Sequence, residues 1–324
     1  MTWTARHKRE LGVLAAAVAL LATQLVALLA RHGSAALGQF RDQLLNSTLD
    51  AAPLLVVAVG VTLVMVARQI DISVGSQMSV LAIVVAMLAR AGVPTMGTLP
   101  QAVLLGAAFG AVNGSLVALA RLPAVVVTLA TMMILRQSLT WARGGAWVDA
   151  PPSGFQWLGL GQAGGTAVVL LAAGAVFVAA TWATHRLAAG RTPYAVGSDA
   201  EAARLAGIRP AAVVFWLFVL AGGLCGVGAW LAAIVTVQVP TNVGEGKELM
   251  AIAAVVVGGT SVTGGRGTLF GTVVGVLLLA NVRPTLSFVG LPSDWEKVAH
   301  GLIILVAVAI EGTAPRRRLV GLRA

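Results

Sequence analysis

The sequence predicts an all-α protein that crosses a membrane about ten times, with some of the crossing helices broken. Of its 324 residues, 58% are hydrophobic and only 10% are charged, and the mean hydropathy is +0.91. This composition is typical of a polytopic membrane protein and argues against a soluble enzyme with one large core. We therefore interpret residues 1–324 as a single transmembrane domain that lies in a lipid bilayer.

Apolar runs between polar segments give the positions of the crossings, because about 20 helical residues span a ~30 Å hydrocarbon core. The predicted spans are residues 11–30, 51–67, 77–89, 99–120, 122–141, 166–184, 211–239, 250–262, 268–280 and 298–310. The eighth span is short and contains Gly258 and Gly259, so we expect a broken or partly re-entrant element there. Such backbone is tolerated at membrane depth only where protein or a wet cavity surrounds it.

Two rows of glycine predict close crossings between helices. Gly106, Gly110 and Gly114 follow one another at four-residue spacing in the fourth span, and Gly222 and Gly226 repeat that spacing in the seventh. Small residues at this spacing let helices approach closely in lipid, where van der Waals contact contributes to their association.

The distribution of basic residues predicts the orientation of the chain. With ten crossings and the N-terminus inside, 14 of the 22 lysines and arginines fall in inner segments. Cytoplasmic loops carry such an excess, so we expect both termini in the cytoplasm. Orientation then accounts for the net charge of +10, and we expect no nucleic-acid partner.

The longest polar interruption, at about residues 186–209, is cytoplasmic in this topology. It contains a predicted helix of about eight residues, in which Ser198 and Glu201 have the spacing of a capping box. Asp199 adds a negative charge to the first turn, and Gly207 supplies a left-handed stop. A helix this short does not persist alone in water. We expect another protein to cover its apolar face, which is formed by Ala202, Leu205 and Ala206.

The sequence carries no motif for catalysis, metal binding or cofactor binding. Gly246, Lys247 and Glu248 are the nearest approach to a phosphate-binding loop, but they lack the earlier glycine and the following Ser or Thr. The single cysteine, Cys225, lies in an apolar run and is interpreted as a core residue. Three classes remain, namely a carrier, a channel, or the membrane part of a machine that is powered from outside. The short cytoplasmic helix favours the third.

Several segments resemble one family of membrane proteins. Residues 201–207 (EAARLAG) resemble the EAA-x-x-x-G loop of bacterial ATP-binding-cassette (ABC) importer permeases, which docks on the ATPase subunit. Residues 194–198 (YAVGS), 70–76 (IDISVGS), 110–114 (GAVNG), 251–261 (AIAAVVVGGTS) and 264–267 (GGRG) are similar to the ribose-type permeases within that group. The resemblance covers about residues 40–312.

The resemblance implies a subunit of an ATP-driven importer in a bacterial inner membrane. The implied substrate is ribose, xylose, rhamnose or a related sugar, or the sugar-like signal autoinducer-2. The implied partners are an ABC ATPase that binds ATP and Mg²⁺, a second permease subunit and a soluble sugar-binding protein. The implied coupling residues are Tyr194, Gly197, Glu201, Ala202, Arg204 and Gly207.

Two alternatives to the sugar importer remain open. Branched-chain amino-acid permeases belong to the same superfamily, so their substrate is a competitor. An ion-coupled secondary transporter is disfavoured because the predicted span centres carry almost no charge, whereas such transporters bury ionisable residues near the midplane.

A second group of residues is predicted to line or gate the translocation pathway: Asp71, Ser73, Asn113, Thr128, Gly258 and Thr260. Asp71 is expected at the inner boundary, where an ion pair with Arg68 or a capping role competes with a pathway role. For Asn113, an interhelical hydrogen bond competes with pathway lining. Gly258 and its neighbours Gly259, Gly264 and Gly265 are expected to serve backbone geometry. Arg143 and Lys247 face outward in this topology, where they either dock the binding protein or are solvated surface charges.

Overall fold

The computed structural model describes residues 3–144, 146–148, 154–236, 238–292 and 294–313 and is helical through most of them. The α-helices are α1 Trp3–His32, α2 Ala36–Val66, α3 Val74–Arg90, α4 Thr95–Gly114, α5 Ala124–Arg143, α6 Gly161–Arg186, α7 Ala188–Ser198, α8 Ala200–Leu205, α9 Pro210–Val235, α10 Lys247–Val257, α11 Leu269–Ala280, α12 Val282–Val289 and α13 Trp295–Thr313. Within the described ranges β-type pairing is limited to an isolated bridge between Val148 and Val239.

Seven helical segments of the described chain are long and apolar enough to cross a membrane, which confirms an all-helical, multi-pass protein. They are Leu11–Arg31, Ala36–Val66, Thr95–Leu119, Ala124–Arg143, Gly161–Arg186, Pro210–Val235 and Leu269–Val289. The other three predicted crossings correspond to α3, α10 and α13, which are not among the seven. The count of about ten and the cytoplasmic location of the termini therefore stay predictions. Residues 314–324, with the basic tail, lie outside the described residues.

One predicted span begins earlier in the structure, and the structure gives the extent of the ninth span, of which residues 268–280 were predicted as the start. Helix α2 begins at Ala36, well before the predicted start at residue 51. The ninth span continues past Ala280 through a turn at Asn281 into α12, so one crossing is built from two short helices. The eighth span is short as predicted, because α10 has 11 residues and follows a series of turns at 241–246.

Helix α2 lies at the centre of the bundle. In its most apolar 18-residue window, 89% of the residues are buried. The corresponding share is 11% for α1 and 22% for α5 and α6. It packs against α9, α10 and α11, and α9 in turn packs against α3 and α4. The outer helices expose large apolar side chains such as Leu104, Ile134 and Leu171, as expected for surfaces that face lipid.

The glycine rows form the crossing of α4 and α9, as predicted. A Cβ atom added to Gly222 would collide with the carbonyl oxygen of Gly106, and one added to Gly110 would collide with that of Phe218. Gly226 packs in the same way on Ala102. The two backbones are therefore in direct contact along the rows, which only the absence of side chains permits.

Several segments that were predicted to be cytoplasmic meet at one end of the bundle. The Arg68 guanidinium donates a hydrogen bond to the carbonyl oxygen of Ser198 at 2.9 Å. The backbone N–H of Gly265 donates to the carbonyl oxygen of Val66 at 2.8 Å. Arg121 lines a surface cavity together with Arg68, at the same end. The end of α2, the end of α7 and the loop before α11 thus form one cluster.

The α4–α9 contact generates a stability prediction. Gly222→Ala places a methyl group against backbone, and overpacking of this kind costs about 1–3 kcal/mol. We expect a lower melting temperature in detergent. Gly174→Ala is the matched control, since nothing lies within 4 Å of a Cβ at Gly174 in α6. Equal melting temperatures for the two variants would contradict the close crossing.

Candidate functional site

The polar segment at 186–209 forms two helices, α7 and α8, rather than a single short helix. Asp199 separates them in an extended conformation, and its Oδ1 accepts hydrogen bonds from the backbone N–H groups of Glu201 at 2.9 Å and Ala202 at 3.0 Å. The predicted capping box is therefore wrong, because Ser198 ends α7 and the cap is the next residue. Aspartate caps a helix as well as serine does.

Glu201 pairs with Arg204 instead of reaching back to the cap. The Arg204 Nε donates to Glu201 Oε2 at 3.0 Å, and both side chains are exposed. This hydrogen bond lowers the pKa of the Glu201 carboxyl and raises the pKa of the Arg204 guanidinium. The tip of the segment thus presents an ordered pair of opposite charges to solvent.

Helix α8 presents an uncovered apolar side. Leu205 is 78% exposed, and Ala202 and Ala206 are exposed beside it, whereas Ala203 is buried against the rest of the chain. Gly207 follows at a φ of +84°, which confirms the predicted left-handed stop. A six-residue helix has too few internal hydrogen bonds to be stable alone. The chain therefore holds one side of α8 and leaves the other side open.

The end of α7 is anchored to the bundle. A Cβ atom on Gly197 would collide with the carbonyl oxygen of Val66, and one on Gly265 would lie 2.7 Å from the hydroxyl of Ser198. Tyr194 is half-buried in α7, and this burial raises the pKa of its phenol. The YAVGS and GGRG segments, which are far apart in the sequence, thus meet at the end of α2. Helix α8 follows this junction after a single residue, Asp199.

The second group of candidate residues is centred on a buried polar network at the start of α3. Asp71 is fully buried, and its Oδ1 accepts hydrogen bonds from the N–H of Ser73 at 2.9 Å and from the Ser73 hydroxyl. The predicted ion pair with Arg68 is wrong, because the chain turns into the protein between the two residues and Arg68 bonds Ser198. The capping alternative is not met either, because the residue before α3 is Ser73 and no side chain caps the helix; Asp71 instead closes an Asx turn onto Ser73.

The network extends from Ser73 to two neighbouring helices. Asn113 of α4 donates from Nδ2 to Ser73 Oγ at 2.9 Å, and the Thr131 hydroxyl of α5 donates to Asn113 Oδ1 at 2.7 Å. Gln77 also donates to Ser73 Oγ at 2.7 Å. The interhelical hydrogen bonds predicted for Asn113 are confirmed. The hydrogen bonds thus form a chain from Thr131 through Asn113 and Ser73 that ends at the Asp71 carboxylate.

The remaining candidates are placed as follows. Thr128 and Thr260 are fully buried, as are Asp71, Ser73 and Asn113, so none of them lines the surface of the single chain. Gly258 packs against Gly271, and Gly259, Gly264 and Gly265 have φ between +73° and +94°, which confirms their role in backbone geometry. A pathway or gating role for the group stays a prediction.

The structure agrees only in part with the outward-facing positions predicted for Arg143 and Lys247. Arg143 ends α5 and its guanidinium donates to the carbonyl oxygen of Trp147 at 3.1 Å. Lys247 begins α10 and is half-buried rather than exposed. A role of either residue in docking stays a prediction.

Sequence reasoning missed an ion pair between α5 and α10. Arg136 Nη2 lies 2.9 Å from Glu248 Oε1, and the side chains are 33% and 7% exposed. One signal was available, because an arginine inside a predicted span requires a partner or a wet surface. The partner is 112 positions away and could not be chosen from the sequence. Within the described residues, no group of three His, Cys, Asp or Glu side chains is placed to hold a metal ion.

Comparison with known proteins identifies the family. The family described as branched-chain amino acid transport system / permease component matches residues 43–308. The chain belongs to this family. The permease is thus a transport subunit rather than an enzyme.

Its relatives include permeases of two import systems. It is 36% identical to the ribose import permease of Escherichia coli K12 over 264 residues, which is 79% of this chain and 81% of that protein. It is 32% identical to the autoinducer 2 import system permease of Salmonella paratyphi B over 269 residues, covering 81% and 76%. The corresponding permease of Yersinia pseudotuberculosis is 34% identical over 273 residues, covering 81% and 75%. No solved structure matches the permease.

The Asn113–Thr131 hydrogen bond is testable by a double-mutant cycle. We expect Asn113→Ala and Thr131→Val to lower the free energy of unfolding, with a coupling of about 0.6 kcal/mol and at most about 1.7, as for other hydrogen bonds between membrane helices. Reversible unfolding in SDS measures this coupling. Strict additivity of the two effects would contradict an energetic link between α4 and α5 at this level.

Proposed function

We propose that this permease is the membrane subunit of an ABC importer that carries a sugar across the bacterial inner membrane. The substrate class is a pentose, a deoxyhexose or an autoinducer-2-like molecule, delivered by a periplasmic or extracellular binding protein. The observation that carries the proposal is the uncovered apolar side of α8 on a firmly anchored α7. The import of ribose and autoinducer 2 by the relatives supports the substrate class.

The proposed topology has ten crossings and cytoplasmic termini. It counts α3, α13 and the broken segment that ends with α10 in addition to the seven long segments. The meeting of Arg68, Arg121 and the α7–α8 segment at one end of the bundle supports a common cytoplasmic side. Away from this cluster, the start of α4 is joined to the last turns of α9. The Trp230 Nε1 donates a hydrogen bond to the carbonyl oxygen of Thr95 at 3.1 Å.

The ATPase partner docks on α8 in this proposal. ATP and Mg²⁺ bind to that partner, and the complete importer has two permease subunits, identical or related. Docking uses Tyr194, Gly197, Glu201, Ala202, Arg204 and Gly207. The exposed Glu201–Arg204 pair gives the contact charge specificity, and Leu205 gives it apolar area that is lost from water on binding.

Coupling passes through the junction at the end of α2. Movement of α8 displaces Gly197 against Val66, and the hydrogen bond from Gly265 carries the same movement to the loop before α11. We assign a gating role to the buried group Asp71, Ser73, Asn113, Thr128, Gly258 and Thr260. Four of them lie at breaks between helices, and the side chains of Asn113 and Thr128 bond the break before α3. Alternating access requires such an element with two arrangements, biased from both sides.

Branched-chain amino acids are the second candidate substrate, because the matched family is described by them. Competition of unlabelled leucine against labelled ribose in proteoliposomes separates the two. Ion coupling is the third candidate, and import that continues without ATP but stops with an ionophore would establish it.

The coupling role of α8 predicts a loss of function without a loss of folding. Glu201→Lys breaks the pair with Arg204 and places two positive charges at the docking surface. We expect normal membrane insertion, no recovery of the ATPase in a mild-detergent pull-down, and no uptake. Asp294→Lys is the matched control, since it reverses an exposed acid away from α8 and is expected to retain the ATPase. Normal uptake by Glu201→Lys would refute the role.

We further propose that Arg143 and Lys247 contribute to docking of the binding protein by pairing with its acidic residues. Arg143→Glu is expected to weaken the stimulation of ATPase activity by the binding protein, and high salt is expected to weaken it in the wild type. An unchanged stimulation curve would remove Arg143 from the docking surface.

A further inference from the structure

Helix α5 is held to the bundle in an unusual way. Of its 20 residues only Val127 and Thr128 are buried, and Leu139 is half-buried against the core, so the apolar contact of α5 is limited in extent. Polar contacts to the bundle accompany this packing and occur at three successive levels. The Thr128 hydroxyl lies 3.3 Å from the carbonyl oxygen of Ile70, Thr131 bonds Asn113, and Arg136 pairs with Glu248.

The uppermost of these contacts joins two elements suited to movement. Arg136 lies about 18 Å along α5 from Ala124, at 1.5 Å per residue, and is thus in the half away from α8. Glu248 lies in the first turn of α10, which follows irregular backbone at 241–246. The ion pair is therefore the contact that closes α5 against the broken helix on the side opposite the coupling segment.

The surface beside this ion pair does not suit lipid. Gln137 and Thr140 of α5 are exposed there, as are Asn242 and Glu245 of the irregular segment. Irregular backbone at membrane depth requires water or protein as its neighbour, and exposed polar side chains have the same requirement. This surface therefore borders a wet vestibule or a second subunit.

The ion pair is incompletely satisfied in the closed arrangement. Glu248 Oε2 is buried and has no hydrogen-bond partner among the described residues. It is pressed against Gly75 at the start of α3, where a Cβ atom would collide with it. A buried carboxylate with one free oxygen is held less firmly than one with both oxygens bonded.

We propose that Arg136 and Glu248 form a latch that closes the outer half of the transport pathway between α5 and α10. Opening separates the guanidinium from the carboxylate and lets water reach both. The groups uncovered in this way, together with Thr131, are hydrogen-bonding groups that suit a neutral, hydroxyl-rich solute. The latch goes beyond the proposed function, and its existence does not depend on which solute is carried.

The direct test measures the accessibility of Leu139, which lies half-buried on α5 and packs against the core. Leu139→Cys is introduced into a Cys225→Ala chain and labelled in proteoliposomes with a membrane-impermeant thiol reagent. Glu248→Gln removes the charge with little change of shape and leaves Arg136 with access to water. We expect the labelling rate to rise about tenfold, as for loss of one charge-assisted hydrogen bond. An unchanged rate would overturn the latch.

Two further variants separate a latch from a merely structural pair. Glu248→Arg is expected to raise labelling and the leak of solute without ATP, and Arg136→Glu combined with Glu248→Arg is expected to return both toward the wild type. Gln137→Ala is the matched control and is expected to change neither. A charge swap that folds but keeps the raised labelling would also overturn the latch. Failure of the wild-type complex to import any sugar would refute the proposed function instead, since the labelling assay needs no substrate.

Discussion

The fold of this permease depends on one constraint, which is that every break in a membrane helix must find hydrogen bonds inside the protein. At the end of α2 the carbonyl oxygen of Val66 accepts from Gly265, and Asp71 closes the turn into α3. Before α10 the N–H of Gly244 donates to the Ser79 hydroxyl at 2.9 Å. At the turn in Asn281, the Gln24 side chain of α1 donates to its carbonyl oxygen at 3.0 Å. Each break is thus tied to a distant part of the chain.

The hydrogen bonds at the breaks matter for function because they allow local rearrangement. A continuous helix resists local rearrangement because each residue adds to the same ladder of hydrogen bonds. The backbone groups at a break can change hydrogen-bond partners at the cost of a few hydrogen bonds. A break is therefore a suitable site for a switch between two arrangements. The coupling segment meets the bundle at such a place, between Gly197 and the end of α2, and the Arg136–Glu248 pair closes another. The two sites lie on opposite halves of the same molecule.

Local sequence predicted the features that depend on local chemistry. The four-residue spacing of Gly106 and Gly110 predicted a close crossing, and Gly207 predicted the end of α8. The cap was misplaced by one residue because Ser198 and Asp199 are equally good caps, and only the end of α7 decides between them. An ion pair of Asp71 with Arg68 was one open alternative because the two are close in sequence, whereas Asp71 is buried and Arg68 bonds Ser198 instead. The partner of Arg136 depends on how α5 and α10 pack, which no local pattern encodes.

The central claim is that the open side of α8 is the docking surface for an ATPase, and site-specific photo-crosslinking tests it most directly. A benzophenone amino acid at Leu205 is illuminated in native membranes, with the same probe at Leu171 of α6 as the lipid-facing control. We expect a crosslink from position 205 to a P-loop ATPase and none from position 171. A probe at 205 that reacts only with lipid or with water, in membranes that contain the ATPase, would contradict it.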